Sequence, residues 1–195
     1  FQSINPLKEA IEAINLMETP DLNLKFEVLL DLGDTYISFG RIQSAKKAYL
    51  ECWMLINKDQ LMRKVIEDRF SAPVRVRNIQ IPKTFPLPNI GEEIGDTVPG
   101  SISMNYDVDT NGQTINIEVI ESTPKGVIDR EASKIINRVI YRPKYIDAEP
   151  QSTEGLSISH QFNVRLSGIE NEKDKESGGE ITEEPMDEPL ENPIG

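Results

Sequence analysis

Residues 107 to 118 read DVDTNGQTINIE, and the alternation of apolar residues on both sides of this stretch constrains the fold more than any other feature of the chain. Before the turn come Ile102, Met104, Tyr106 and Val108, and after it come Ile115, Ile117 and Val119. A period of two is what a strand with one buried face requires, because successive side chains leave the pleated backbone on opposite sides. Asn111-Gly112 lies between the two runs, and both residue types tolerate positive φ, so the pair predicts a β-hairpin. With a two-residue loop, Val108 would face Ile115, Tyr106 would face Ile117 and Met104 would face Val119, all on one face. The same stretch also fits a calcium-loop pattern, with Asp107, Asp109, Asn111, Gly112 and Glu118 in the expected places. That loop closes only between two helices, whereas a hairpin carries Glu118 roughly 20 Å beyond Gly112, too far to share an ion with Asp109. The alternation therefore predicts strands and a turn at this place.

Upstream the period changes. Residues 5 to 70 carry apolar side chains at three- and four-residue spacing, in the groups Leu7, Ala10, Ile11, Ile14, Met17, then Leu29, Leu32, Tyr36, Ile37, then Ala45, Ala48, Tyr49, Cys52, Leu55. That spacing predicts helices, with breaks at Pro20 and Gly40. Residues 71 to 98 are rich in Pro and Gly and read as a linker that packs in part as a strand. Beyond the hairpin, Ile128, Ala132, Ile135, Ile136, Val139 and Ile140 fall on one helical stripe, and Pro143 stops it. Leu156, Ile158, Phe162, Val164 and Leu166 then return to alternation. The predicted fold class is α+β, with an all-helical part at 1–70, the linker at 71–98, and a small domain at 99–167. In that domain strand, strand, helix and strand give a three-stranded antiparallel sheet with one helix on its apolar face. Residues 168–195 lack aromatics and are predicted to be a disordered acidic tail.

Charge and composition narrow the function by exclusion. Of the formal charge of −12, residues 170–195 supply −8 from ten acids and two bases, so the body is nearly balanced and the acidity is a tail. Such a chain is a poor nucleic-acid ligand. No uncharged apolar run approaches the length of a membrane span. A chain beginning at Phe1 fits either a trimmed piece or a mature chain whose leader or anchor has been removed. A single cysteine, Cys52, makes no internal disulfide, and one cysteine with one histidine, His160, falls short of a structural zinc site. Cys52 sits at a small-residue packing position and His160 in the apolar register of a strand, so both read as structural rather than as a catalytic dyad. Glu92, Glu93 and Asp96 cluster in the linker, where a solvated run is the default. No catalytic residue, metal ligand or cofactor site is expected.

The last alternating run, 156 to 166, is the natural edge of a small sheet, and an edge strand accepts a strand from a partner. In that register the backbone supplies affinity, while Ser157, Ser159, Gln161 and Asn163 alternate with Leu156, Ile158, His160, Phe162 and Val164 and tune the choice of partner.

Two resemblances add to this reading. Leu29, Leu32, Gly33, Tyr36, Gly40, Ala45, Tyr49 and Cys52 stand at the offsets of a tetratricopeptide repeat, with Asn57 where Pro is usual. Ala10, Ile14 and Met17 match the second helix of a preceding repeat. The resemblance implies a concave surface for a peptide or protein, or a stable helical spacer. The second resemblance, nearly unbroken over 99 to 166, rests on Gly100, SISMNYDV, DTNG, TINIEVIES, STPKG, DREA, YRP preceded by Arg138, and LSISHQFNV. In that order these segments resemble the carboxy-terminal domain of the TonB family of periplasmic energy transducers, and DVDTNGQT occupies that family's first hairpin. Val139 or Ile140 stands where the family has Trp, and Phe85-Pro86 stands displaced from its Tyr-Pro motif.

The resemblance implies a periplasmic, non-enzymatic protein of a Gram-negative bacterium, anchored to the inner membrane through a segment absent from this chain. Its partner would be an outer-membrane TonB-dependent receptor, gripped at 156–164 together with Phe85 and Pro86. The helical repeats would meet inner-membrane motor proteins or other envelope proteins. The alternative reading is a cell-envelope scaffold in which the repeats bind the partner and the TonB-like fold serves assembly or a homodimer.

Overall fold

The computed structural model describes residues 4–57, 59–77, 79–86 and 97–165, so the acidic segment 168–195 lies outside the described residues, as do Glu92, Glu93 and the rest of the linker's acidic run. Four helices come first: α1 (Ile4–Asn15), α2 (Leu22–Ser38), α3 (Ile42–Met54) and α4 (Met62–Phe70), with a 3₁₀ turn at Leu55–Asn57. Asp21 starts α2, its carboxylate accepting from the backbone N–H groups of Asn23 and Leu24, and so satisfies two of the orphan donors of the first turn. The predicted breaks, Pro20 and Gly40, fall between helices. The apolar stripes meet in a core where Phe26, Tyr49, Cys52, Ile66 and Phe70 are fully buried. Side chains of that size contribute about 1.5–3 kcal/mol each when removed from water.

One aromatic of this core comes from far down the chain. Tyr145 packs edge-on against Phe70 at 5.1 Å and Tyr49 at 5.5 Å, and among the described residues its buried hydroxyl has no hydrogen-bond partner. A buried unpaired hydroxyl costs about 1–3 kcal/mol of desolvation, while a phenyl ring keeps the packing. Tyr145→Phe is therefore expected to raise stability by about 1 kcal/mol, read from urea denaturation followed by the fluorescence of the single tryptophan, Trp53.

Strands β1 (Val74–Arg77) and β2 (Thr84–Pro86) precede the long hairpin, β3 (Thr97–Val108) and β4 (Thr114–Thr123). Helix α5 (Asp129–Ile136), β5 (Ile140–Arg142), β6 (Lys144–Ile146), β7 (Glu149–Gln151) and β8 (Thr153–Arg165) follow. Among the described residues the main sheet has four strands in the order β2-β8-β3-β4, not three. Sequence alternation cannot reveal β2, because three residues ending in proline carry no period. It is found only because Phe85 is buried on the sheet.

The hairpin is where the alternation places it, but its turn and register differ. The loop has three residues, Thr110, Asn111 and Gly112: Asp109 N–H donates to the Gln113 carbonyl at 2.9 Å, and Gly112 N–H to the Asp109 carbonyl at 3.0 Å. Only Gly112 takes positive φ, at 78°, as in a type I turn closed by a glycine bulge. Val108 therefore faces Thr114, and Asp107 faces Ile115, which points outward and is 41% exposed. Asn116, at φ 51°, is a bulge that restores the alternation, so that Met104 still faces Val119.

The predicted helix through Ile140 ends at Ile136. Val139 and Tyr141 enter the core beneath the sheet, while Ile140 and Tyr145 enter the helical core, so this segment is shared between two cores. An alternation that short is indistinguishable from a helical stripe until both cores are known. The seam between the cores is tight. Arg142, 4% exposed, pairs with Asp34 of α2 at 2.9 Å, donates to the Arg69 carbonyl at 3.3 Å, and lies over the Phe70 ring. Tyr141 N–H donates to the Gly112 carbonyl at 2.9 Å, and Lys46 of α3 reaches Asn111 at 2.9 Å.

Candidate functional site

β8 is paired with β3 along its length, from Thr97 opposite Arg165 to Val108 opposite Thr153. On its other side β2 runs parallel to it and pairs only with Asn163–Arg165. The edge expected over 156–166 is therefore covered at its last residues and uncovered by strands, among the described residues, over Leu156–Phe162. The backbone N–H of Asn163 donates to the Lys83 carbonyl at 2.8 Å, so it points away from β3. Because strand groups alternate in direction, the N–H and C=O of Ser157, Ser159 and Gln161 point the same way. Their side chains are exposed on the helix-free face, where the Ser159 and Ser103 hydroxyls bond at 2.9 Å.

The other expected site residues divide. Leu156, Ile158 and His160 are half-buried on the helix side, and Phe162 and Val164 are buried in the core. Phe85 is not displayed to a partner: it is 8% exposed and packs edge-on against Phe162 at 5.6 Å. Pro86 is the last residue of β2, beside Arg165. The His160 Nε2–H donates to the Pro82 carbonyl at 3.1 Å, since a carbonyl only accepts. Gly100 lies beneath Phe162, where an added Cβ would come within 2.6 Å of both the ring and the Thr123 carbonyl. The Gly of the domain pattern thus permits a close approach of ring and backbone.

The residues that sequence reasoning missed belong to the segment before β2. Ile79, Ile81, Pro82 and Lys83 face β8 across a slot of about 610 Å³, which Arg75, Ile136, Ile158 and His160 complete. Arg75 lies 5.8 Å above the Tyr141 ring and donates to its hydroxyl at 3.3 Å, and that hydroxyl bonds Tyr106 at 2.7 Å. Burial, then the hydrogen bond to Tyr141, pushes the Tyr106 phenol up to about 12, so it stays neutral at ordinary pH. A run such as VRVRNIQIPKTFP signals an extended segment, but nothing local says which edge it will lie against.

Chemistry elsewhere is structural. Cys52 is fully buried with its Sγ 3.9 Å from the Phe26 carbonyl, and burial pushes its thiol far above the usual range, where it is not a nucleophile. Asp109 accepts from the N–H groups of Asn111 and Gln113 and staples the turn, while Asp107 accepts from Asn116 and from Gly155 N–H. Those bonds hold the Asp107 carboxyl below its ordinary value. Among the described residues no cluster of His, Cys, Asp and Glu is placed to hold a metal ion, and no helix is long and apolar enough to cross a membrane.

Residues 97–164 match the family described as Gram-negative bacterial TonB protein C-terminal. Protein TonB of Yersinia enterocolitica is 32% identical over 41 residues, which are 21% of this chain and 16% of that protein, so the match spans a small part of the relative. A solved structure described as the molecular characterization of the TonB2 protein from Vibrio anguillarum is 20% identical. It covers 46% of this chain and 91% of that chain with a TM-score of 0.29.

Proposed function

We propose that this chain is a TonB-like, non-enzymatic protein of the Gram-negative periplasm that binds an extended segment of an outer-membrane receptor by strand addition to β8, in energy-coupled transport. The observation that supports this most directly is the outward row of backbone groups at Ser157, Ser159 and Gln161, next to a slot that admits an extended chain. Main-chain hydrogen bonds give such a complex its affinity, and the alternating Ser, Ser, Gln and Asn side chains meet the partner on the helix-free face. The family match over 97–164 supports the compartment and the receptor class.

The test is an NMR titration of the isotope-labelled chain with peptides from the amino-terminal segments of TonB-dependent receptors. Saturable shifts along 156–164 are expected; no shift with any peptide would remove the reading. Ser159→Pro deletes one outward N–H without touching the β3 ladder, and is expected to weaken binding about tenfold or more with melting little changed.

A second reading is favoured by one observation. A groove of about 380 Å³ between α1, α2 and α3, lined by Ile11, Leu29, Tyr36, Lys47 and Glu51 among others, lies where a tetratricopeptide-like surface would bind. In that reading the helices take an inner-membrane motor protein or another envelope protein, and the sheet serves assembly or a homodimer. Peptide-induced shifts confined to α1–α3 would favour it.

A further inference from the structure

The proposed receiving edge already holds a strand, and that strand belongs to this chain. β2 lies parallel on Asn163–Arg165, fastened by Phe85 over Phe162, by Ile81 at 9% exposure, by Asn163 N–H to the Lys83 carbonyl, and by His160 to the Pro82 carbonyl. We infer that residues 79–86 are a built-in stand-in for the partner, and that a partner's strand binds by taking their place on β8. This rests on the reading of β8 as the receiving edge.

Two features separate replacement from stacking onto the outside of β2. Lys83 turns its carbonyl to β8, so by alternation Thr84 and Pro86 face outward, and Pro86 has no N–H to offer a further strand. Proline at an edge is a barrier to strand addition. β2 is also a weak occupant. It pairs through three residues, and beside Ile158 and His160 the chain stands off from β8 across the 610 Å³ slot, leaving the outward groups of Ser157 and Ser159 unused by any strand among the described residues. A longer strand in the same place would bond Asn163 and continue down to Ser157.

The stand-in also gives the chemistry of the occupant. It is an extended segment parallel to β8, with an apolar residue at the Ile81 position and a bulky apolar residue four positions later at the Phe85 position. Both then lie on the core side. The carbonyl two residues before the bulky one accepts from Asn163.

The probe is the peptide IQIPKTFP, the chain's own residues 79–86, titrated into the full 195-residue chain and followed by amide shifts of β8. In the native chain the tethered copy outcompetes the free one, so binding is expected to be weak. Phe85→Ala loosens the tethered copy, and the peptide is expected to bind at least about tenfold more tightly, because apparent affinity scales with the fraction of edges left open. The complementary variant carries Thr84→Cys and Asn163→Cys, which are register partners on the exposed face; neighbouring strands lie about 4.8 Å apart, a spacing that a disulfide accepts. Oxidised, it is expected to bind no peptide on β8; reduced, it is expected to bind as the native chain does. Buried Cys52 does not interfere.

Peptide bound equally by the oxidised, reduced and native forms would overturn the inference, as would unchanged affinity in a folded Phe85→Ala chain. If Phe85→Ala fails to fold, the disulfide pair alone decides. Receptor peptides run in parallel separate the two readings. Binding of IQIPKTFP to the loosened edge with no receptor peptide bound leaves the stand-in and removes the receptor. Receptor peptides bound alike by oxidised and reduced forms leave the receptor and remove the stand-in. Binding of a second copy through an exchanged β2, seen as a dimer in the Phe85→Ala chain, also supports the inference, since it fills the same edge.

Discussion

Arg142→Met is expected to destabilise the chain by about 4 kcal/mol, because it leaves a carboxylate in the seam between the two cores without its cation. The Arg142 side chain is 5% exposed and that of Asp34 is 27% exposed, so water replaces little of the lost interaction. Replacing Arg142 also removes the cation over Phe70 and the bond to the Arg69 carbonyl, which ties α4 to β5. Asp34→Asn in the same chain should recover more than half of the loss, since a neutral amide costs less to bury and Asp34 already accepts from the Tyr49 hydroxyl at 2.8 Å. Urea denaturation of the two single variants and the double variant, read by Trp53, gives the coupling. A loss below about 1 kcal/mol would mean the seam is held by packing alone.

The pH dependence of the same variants has a definite sign. Burial raises the Asp34 carboxyl above its ordinary value even against Arg142, which lowers it. A carboxyl raised in the folded state binds a proton more tightly there than in the unfolded chain. Its contribution is therefore fully present below the unfolded value and is lost as pH rises through the folded one. Removing Arg142 removes the largest opposing influence and lifts the folded value further. The stability of Arg142→Met should therefore fall more steeply than that of the native chain as pH rises above the ordinary carboxylate range. In Asp34→Asn that dependence should vanish.

Gly112→Val is expected to cost about 3 kcal/mol, seen as a melting drop of about 10 °C. Gly112 sits at φ 78°, and a Cβ there would lie 1.9 Å from the Tyr141 carbonyl oxygen and 2.9 Å from Ile37. The first of these is backbone and cannot step aside, so the hairpin tip must lift from β5 and α2. Since that tip is one of the contacts joining the two cores, Trp53 fluorescence and the far-ultraviolet signal of the sheet should melt at separate temperatures in this variant. A single shared transition close to the native temperature would mean the loop rebuilds without leaving the seam.

That glycine marks how far the sequence reaches. DTNG announces a turn, and Ile102, Met104, Tyr106 and Val108 do line the core face of β3. The same letters do not disclose the extra loop residue or the Asn116 bulge, because a one-residue change in loop length is set by how the tip docks on Tyr141 and Ile37. Likewise the stripe from Ile128 to Ile140 marks an apolar segment correctly but hides that its end is divided between two cores. Of the residues expected to meet a partner, the backbone of Ser157, Ser159 and Gln161 is where a strand could add. Phe85 is occupied in holding β2 down.

The sequence by itself determined most of the elements: three helical stripes from three- and four-residue spacing, a hairpin from alternation around Asn111-Gly112, and a further helix and long strand in the order that the TonB resemblance also requires. These follow from local periodicity, which any stretch of chain carries within itself. Only the tertiary structure decided what each element lies against. Arg142 finds Asp34, 108 positions away, Tyr145 completes a core built by the first 70 residues, and a three-residue strand with proline at its end covers part of the edge that alternation alone leaves open. Such pairings are set by burial and unpaired backbone groups summed over distant segments, and no local pattern encodes them.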